Sequence, residues 1–373
     1  MNKLIVGNLV HRPLRSIISA LAVAIEVIMI LSIAAIMYGI LNGSRVQQSG
    51  IGWDLLAHPG ASSALMSSGS ASADVRIAGV LQQMPHVKVV SPVNIKLTLG
   101  GNVENIFGID YQSFNALRPF VFVSGGPFRQ PYDLIVDDLQ AASKHLKVGD
   151  PVKVLDHTFT ICGVVEHGKG ARKFIQLTTM DELDGNPGKA AEFLMRTDDA
   201  PTDEAKKAIQ EQVKQEILKT DGLQDWNVQT LEEFLAGLTP AKIPAFNIGL
   251  RVVIGIATII GFMAIFQSMY TAVMERTREI GILKSMGAGR LDIVSVVLRE
   301  TGLLALVGVV LGVLATIALK MALHKAQPTM SFEVTPKWVA LGVGIALLGS
   351  LFGALYPALK AARKDPIDAL SYE

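Results

Sequence analysis

The chain of 373 residues holds a single cysteine, Cys162. An intrachain disulfide is excluded, and cysteine usage gives no sign of an oxidising compartment. Residues 158–165 alternate like a strand, so the thiol reads as a small core residue. Charge is also scarce. Asp, Glu, Lys and Arg make up 18% of the chain and nearly cancel, leaving a formal net charge of +1. That excludes a global pull toward nucleic acid or an acidic partner. A phosphate-cradling P-loop is missing too. Such a loop must end in Gly-Lys-Ser/Thr, whereas Gly168-Lys169 and Gly188-Lys189 are followed by Gly170 and Ala190. No Ser/His/Asp or paired-carboxylate pattern stands out, so no hydrolytic site is expected. His157, Cys162 and His167 fit no common zinc spacing, and strand alternation sets His157 and Cys162 on opposite faces; no metal is expected.

Apolar side chains, by contrast, are plentiful. Half of the residues are hydrophobic, and the mean hydropathy is +0.39. They concentrate toward both ends, around a more polar middle, as in a membrane protein with an inserted domain. A helix needs about 20 mostly apolar residues to cross about 30 Å of hydrocarbon. Four stretches qualify: 17–41, 246–272, 293–319 and 338–359. The first is longer than the roughly 7–15-residue core of a secretory signal and reads as a retained span. The sequence therefore predicts a membrane protein of four transmembrane α-helices, with an α+β extracytoplasmic domain (42–245) inserted between helices 1 and 2.

Within the insert, strands are predicted over 87–99, 120–123, 134–136, 152–155, 158–165, 174–177 and 193–195, with Pro92 marking an edge or a bulge. Helices are predicted over 72–84 and 203–219. Residues 61–73, poor in large side chains, read as a loop. Residues 1–16 read as an amphipathic interfacial helix, with Leu4, Ile5, Leu9 and Val10 on one face. Lys and Arg near the span ends favour one side. Lys3, Arg12, Arg15, Arg276, Arg278, Lys284, Arg290, Lys360, Arg363 and Lys364 lie there, against Arg45, Lys242, Arg251, Lys320, Lys325 and Lys337. This bias places both termini, the 273–292 connector and the 360–373 tail in the cytoplasm, and the insert and the short 320–337 loop outside.

The most informative stretch follows the second span: Glu275-Arg276-Thr277-Arg278-Glu279-Ile280-Gly281, then Lys284-Ser285-Met286-Gly287-Ala288 and Gly289-Arg290. Interleaved charged and apolar residues ending at glycines predict a short surface helix, of a kind that fits a groove on a soluble partner. These residues, the tail from Tyr356 to Leu370, and the opening Asn8 to Arg15 resemble MacB/FtsX-type ABC transporter permeases of the type VII superfamily. The resemblance implies a non-catalytic permease subunit in a bacterial inner membrane, working as a homodimer with two copies of a separate ATPase. ATP and Mg would sit in that partner; no cofactor is expected in this chain. It also implies a two-part outer domain, with a porter-like part (about 42–100 and 200–245) and an inserted lobe (about 101–199). Glu275, Arg276, Arg278, Glu279, Gly281, Lys284 and Gly287 would couple the permease to the ATPase. MacB itself carries a fused ATPase, from which this chain departs.

Further residues carry weaker signals. Glu26 lies inside the first span, where a carboxylate costs about 2.5–3.5 kcal/mol on insertion. It reads either as a substrate, dimer-interface or relay contact, or as a hydrogen-bond partner of Gln267 or Ser268. Arg251 reads as a snorkelling interfacial cation. Gly308 with Gly312, and Gly349 with Gly353, have the spacing of close helix approach. Met29, Met37, Met263, Met269 and Met274 read as span packing, with the lining of an apolar cavity for a ligand such as haem as the alternative. The expected function is efflux of an apolar compound, peptide or lipid-linked cargo by mechanotransmission, with membrane lipid as surroundings and a periplasmic adaptor and outer-membrane channel as candidate partners. The alternatives are FtsX-like activation of a cell-wall hydrolase, Lol-type lipoprotein extraction and haem export.

Overall fold

The computed structural model describes residues 13–60, 72–98, 104–185 and 187–363. The amphipathic segment before Pro13, most of the expected loop at 61–73 and the tail after Arg363 lie outside the described residues. By contacts, the chain forms two compact units. Among the described residues, one comprises those within 41–242 with 326–329, the other 13–40, 243–325 and 330–363.

Helix α1 (Pro13–Ile51) opens the described chain. Gly52, at φ 87°, turns the backbone toward β1 (Leu55–Pro59), a conformation open to glycine for want of a Cβ. Next come β2 (Ala73–Asp74), α2 (Ile77–Gln82), β3 (Val87–Thr98), β4 (Glu104–Ile109), α3 (Tyr111–Leu117) and β5 (Phe122–Gly125). The chain continues through β6 (Asp133–Asp137), α4 (Asp138–Lys144), β7 (Pro151–Val154), β8 (His157–Val165), β9 (Lys173–Gln176) and α5 (Leu177–Asp184). It closes the domain with β10 (Lys189–Ala190), β11 (Glu192–Thr197), α6 (Asp203–Lys219), β12 (Trp226–Thr230) and α7 (Leu231–Gly237).

Ten of these strands form one mixed sheet in the order β12-β1-β11-β3-β4-β9-β6-β8-β5, with β7 beside β8. The pairs β4–β9 and β6–β8 are parallel; the other pairs are antiparallel. Toward the β12 end, Leu55, Phe193 and Trp226 pack with Val213 and Ile217 of α6. At the centre, Trp53, Phe107, Phe114, Phe120 and Phe174 form an aromatic core. Toward the other end, Leu134, Phe159, Ile161 and Met180 form a third cluster.

Several elements differ from the sequence reading. Pro92 is neither on an edge strand nor at a bulge. It stands opposite Phe193 within β3, which lies between β11 and β4. Pairing with β4 begins only at Val93, so the missing N–H costs no ladder bond on that side. The register shift of this pair falls at Arg196/Thr197 instead. Residues 72–84 are not one helix: Asp74 accepts from the Arg76 backbone N–H and guanidinium, a turn that delays helix α2 to Ile77. Strand β11, expected in the inserted lobe, pairs with β1 and β3.

In the other unit, α8 (Pro244–Glu275), α9 (Thr277–Ser285), α10 (Arg290–Ala326) and α11 (Pro336–Arg363) complete the chain. Among the described residues, four helices are long and apolar enough to cross a membrane: α1, α8, α10 and α11. Helices α1 and α10, at 39 and 37 residues, exceed the length that hydrocarbon alone requires. Small residues set the packing. A Cβ on Gly308 would lie 2.6 Å from the Ala20 carbonyl, and one on Gly312 2.8 Å from Val27 Cβ, so α10 rides directly on α1. Gly353 brings α11 to within 2.9 Å of the Phe262 carbonyl of α8 by the same measure. Tyr38 and Trp338 meet edge to face at 5.7 Å.

Candidate functional site

The connector after α8 folds as the interleaved pattern predicts. The α8 helix ends at Glu275, and Arg276 breaks the helical path at φ −106°, ψ 20°. The Thr277 hydroxyl donates to the Met274 carbonyl at 2.8 Å, taking up an acceptor the ending helix leaves open. Helix α9 then runs to Ser285. It stops in a turn where Gly287, at φ 99°, and Ala288 donate to the carbonyls of Lys284 and Leu283, a left-handed glycine cap.

The expected coupling residues separate into two faces. Arg276 turns inward: its Nη1 donates to Glu300 of α10 at 3.0 and 3.2 Å, with both side chains nearly buried. Lys284 Nζ donates to the Ala362 carbonyl near the end of α11. Gly281 is buried. These contacts brace α9 on α8, α10 and α11. Arg278 and Glu279 are exposed. Beneath α9 a cavity of about 70 Å³ is lined by Met269, Val273, Ile280, Leu283 and Val297, with Arg276 and Glu300 beside them.

The sequence reading missed the apolar part of the outer face. Ile282 on α9, Met286 just past its end and Leu291 at the start of α10 are 43%, 71% and 83% exposed. The signal was present in the sequence, because Ile282 and Met286 follow Arg278 at successive four-residue steps along one helix face. Glu300, the partner of Arg276, was also missed, since it lies distant in sequence within an apolar span.

Glu26 is 1% exposed, and neither carboxylate oxygen has a hydrogen-bond partner among the described residues. The expected bond to Gln267 or Ser268 is not formed: Ser268 pairs with Ser19, and Gln267 is exposed. The inner-span methionines do not share one cavity, since Met269 is buried while Met263 is 63% exposed. His157, Cys162 and His167 do not converge. His167 Nδ1 sits 2.9 Å from Asp138 Oδ1, while Cys162 Sγ lies 3.5 Å from the Leu134 carbonyl and burial pushes its thiol up to about 12. Among the described residues no three His, Cys, Asp or Glu side chains cluster as metal ligands.

Comparison with known proteins matches both parts of the chain. Residues 16–212, more than half of it, match the MacB-like periplasmic core domain. Residues 251–366 match the FtsX-like permease C-terminal domain. An uncharacterized ABC transporter permease, MJ1507, of Methanocaldococcus jannaschii is 29% identical over 62% of this chain and 59% of its own length. The permease YknZ of Bacillus subtilis is 35% identical over 45% of this chain and 42% of its own. The macrolide export ATP-binding/permease protein MacB of Chromobacterium violaceum is 33% identical over 48% of this chain and 28% of its own. The match thus spans less than two thirds of each of these relatives' own lengths. With the periplasmic core and the FtsX-like permease region both present around four apolar helices, the chain belongs to the MacB/FtsX family of ABC transporter permeases.

Proposed function

We propose that this chain is the permease subunit of an ABC-type export complex, in which a separate ATPase drives movement of the outer domain. The observation that carries the reading is the exposed side of the connector, with Ile282 on α9 beside Arg278 and Glu279, Met286 just past its end and Leu291 at the start of α10. An apolar knob rimmed by charge suits a groove on a soluble protein. The braces from Arg276 to Glu300 and from Lys284 to the Ala362 carbonyl let a push on α9 reach three spans without bending it first. In this reading α9 faces the cytoplasm, the sheet domain faces outward, and two permeases engage two ATPases that hold ATP and Mg. The name of the Chromobacterium relative joins ATP binding to macrolide export; an apolar or lipid-linked cargo is the corresponding proposal here.

The test is direct. In the purified complex, Met286→Asp with Leu291→Asp lowers permease-stimulated ATP hydrolysis at least tenfold and weakens co-purification of the ATPase, while the permease still assembles. Undiminished stimulation by that double variant removes the coupling assignment.

A further inference from the structure

The side chain that the coupling scheme leaves unused is Glu26, in the middle of α1. Its carboxyl is seated between helices that glycines keep open. A Cβ on Gly261 of α8 would lie 1.8 Å from Oε2, and one on Gly349 of α11 would lie 3.8 Å from Oε1. The seat at position 261 therefore admits no side chain while Glu26 holds its place. On the third side, Val23 and Val27 of α1 press against Gly308 and Gly312 of α10. The pocket is closed, since Glu26 is 1% exposed and both oxygens are without hydrogen-bond partners among the described residues. Ser350, next to Gly349, is buried with its hydroxyl likewise unpartnered.

No counter-charge stands at this level. The nearest titratable or charged groups along the packed helices are Arg251 and Tyr270 on α8, Glu300 (next to Arg299) and Lys320 on α10, and Lys337 and Tyr356 on α11; on α1 itself they are Arg15 and Tyr38. Each is about two turns or more away, roughly 10 Å along the axis. A bound metal cation is disfavoured by the donor count. Hard cations take about six oxygens; beside the two carboxylate oxygens, the Thr258 hydroxyl is already bonded to the Ile254 carbonyl and Ser350 adds one more. A bare carboxylate in an apolar, water-free site is the costliest of the options. What remains is a proton.

We propose that Glu26 is a proton-binding site of the helix bundle, neutral when α1 is closed on α8 and α11, and that its ionisation loosens that packing. The proton leaves a carboxyl O–H for water, so the charged form requires water to reach the seat, which the closed bundle denies it. Proton release and helix separation are thus one event, and the permease gains a dependence on pH that does not involve the ATPase contact.

The experiment is infrared spectroscopy of the full-length permease in lipid, as the wild-type minus Glu26→Gln difference, titrated from mildly acid to strongly alkaline pH. The proposal expects a protonated-carboxyl C=O band at neutral pH in the wild type, absent in Glu26→Gln and lost at alkaline pH together with part of the bundle's resistance to unfolding. Glu26→Gln, a mimic of the neutral acid, keeps that resistance at alkaline pH. A difference spectrum without the band at neutral pH overturns the proposal. So does a band that persists while the alkaline loss of stability matches that of Glu26→Gln. Should Glu26→Gln fail to assemble, Glu26→Asp is expected to shift the band, and an unshifted band sinks the assignment.

Discussion

Arg276 and Glu300 provide the sharpest energetic test of the braced connector. Their side chains are 12% and 8% exposed, and one guanidinium nitrogen contacts both carboxylate oxygens. Removing one member of a buried pair strands the other charge, at a cost of about 3–5 kcal/mol. The slight remaining exposure places Arg276→Met and Glu300→Leu, each made alone, near the lower end, about 3 kcal/mol each. Replacing both by apolar residues of similar volume, Arg276→Met with Glu300→Leu, leaves neither charge of the pair stranded and returns the protein to within about 1 kcal/mol of wild type. Reversible unfolding of the purified permease in mixed detergent micelles gives all four values, and the cycle isolates the pair term. The reasoning fails if each single variant costs under about 1 kcal/mol, or if the double variant costs the sum of the two.

Three further outcomes follow from the packing and the titrations. Gly308→Val drives a side chain into the Ala20 carbonyl and Val23 and is expected to cost at least about 1–3 kcal/mol; Gly302→Ala, where nothing lies within 4 Å, stays near neutral in the same unfolding assay. Burial pushes the Asp137 carboxyl up to about 6, in spite of the Arg172 guanidinium at 3.0 Å and the Gln140 amide. A raised carboxyl pKa means that the folded domain binds the extra proton, so stability should fall as pH rises from about 4 to about 6; Asp137→Asn flattens that slope, and an unchanged slope refutes the assignment. Thr230 and Glu233 form a reciprocal cap at the start of α7, so Thr230→Ala is expected to cost about 1 kcal/mol, read by denaturant midpoint.

The spans were legible because hydrocarbon thickness fixes a length that few other structures need. Helix α6 was legible to the residue: Thr202 caps it, Asp203 and Glu204 open it and Lys219 closes it, each charge matched to the helix dipole. Strand β1 was not, because its five residues follow a long helix almost at once and are buried without alternation. Strand β12 was hidden by Asn227 and Gln229, polar residues that suit its place at the sheet edge. At the connector, the sequence named the charged residues but not their directions. Arg276 faces inward only because Glu300, far along the chain, reaches it. The exposure of Met286 and Leu291 likewise depends on where α10 starts after the Gly287 turn. The glycine seat of Glu26 joins three helices distant in sequence, so no local pattern announces it.

The claim on which the functional account stands is that α9 lies on the cytoplasmic side and the sheet domain on the other. In a Cys162→Ala background, Met286→Cys and Glu232→Cys place single thiols on exposed positions of the connector and of the domain. The account predicts that a membrane-impermeant maleimide added to intact cells, with any outer envelope opened, labels Glu232→Cys at once and Met286→Cys only after the inner membrane is permeabilised. Labelling of Met286→Cys from outside sealed cells would contradict it.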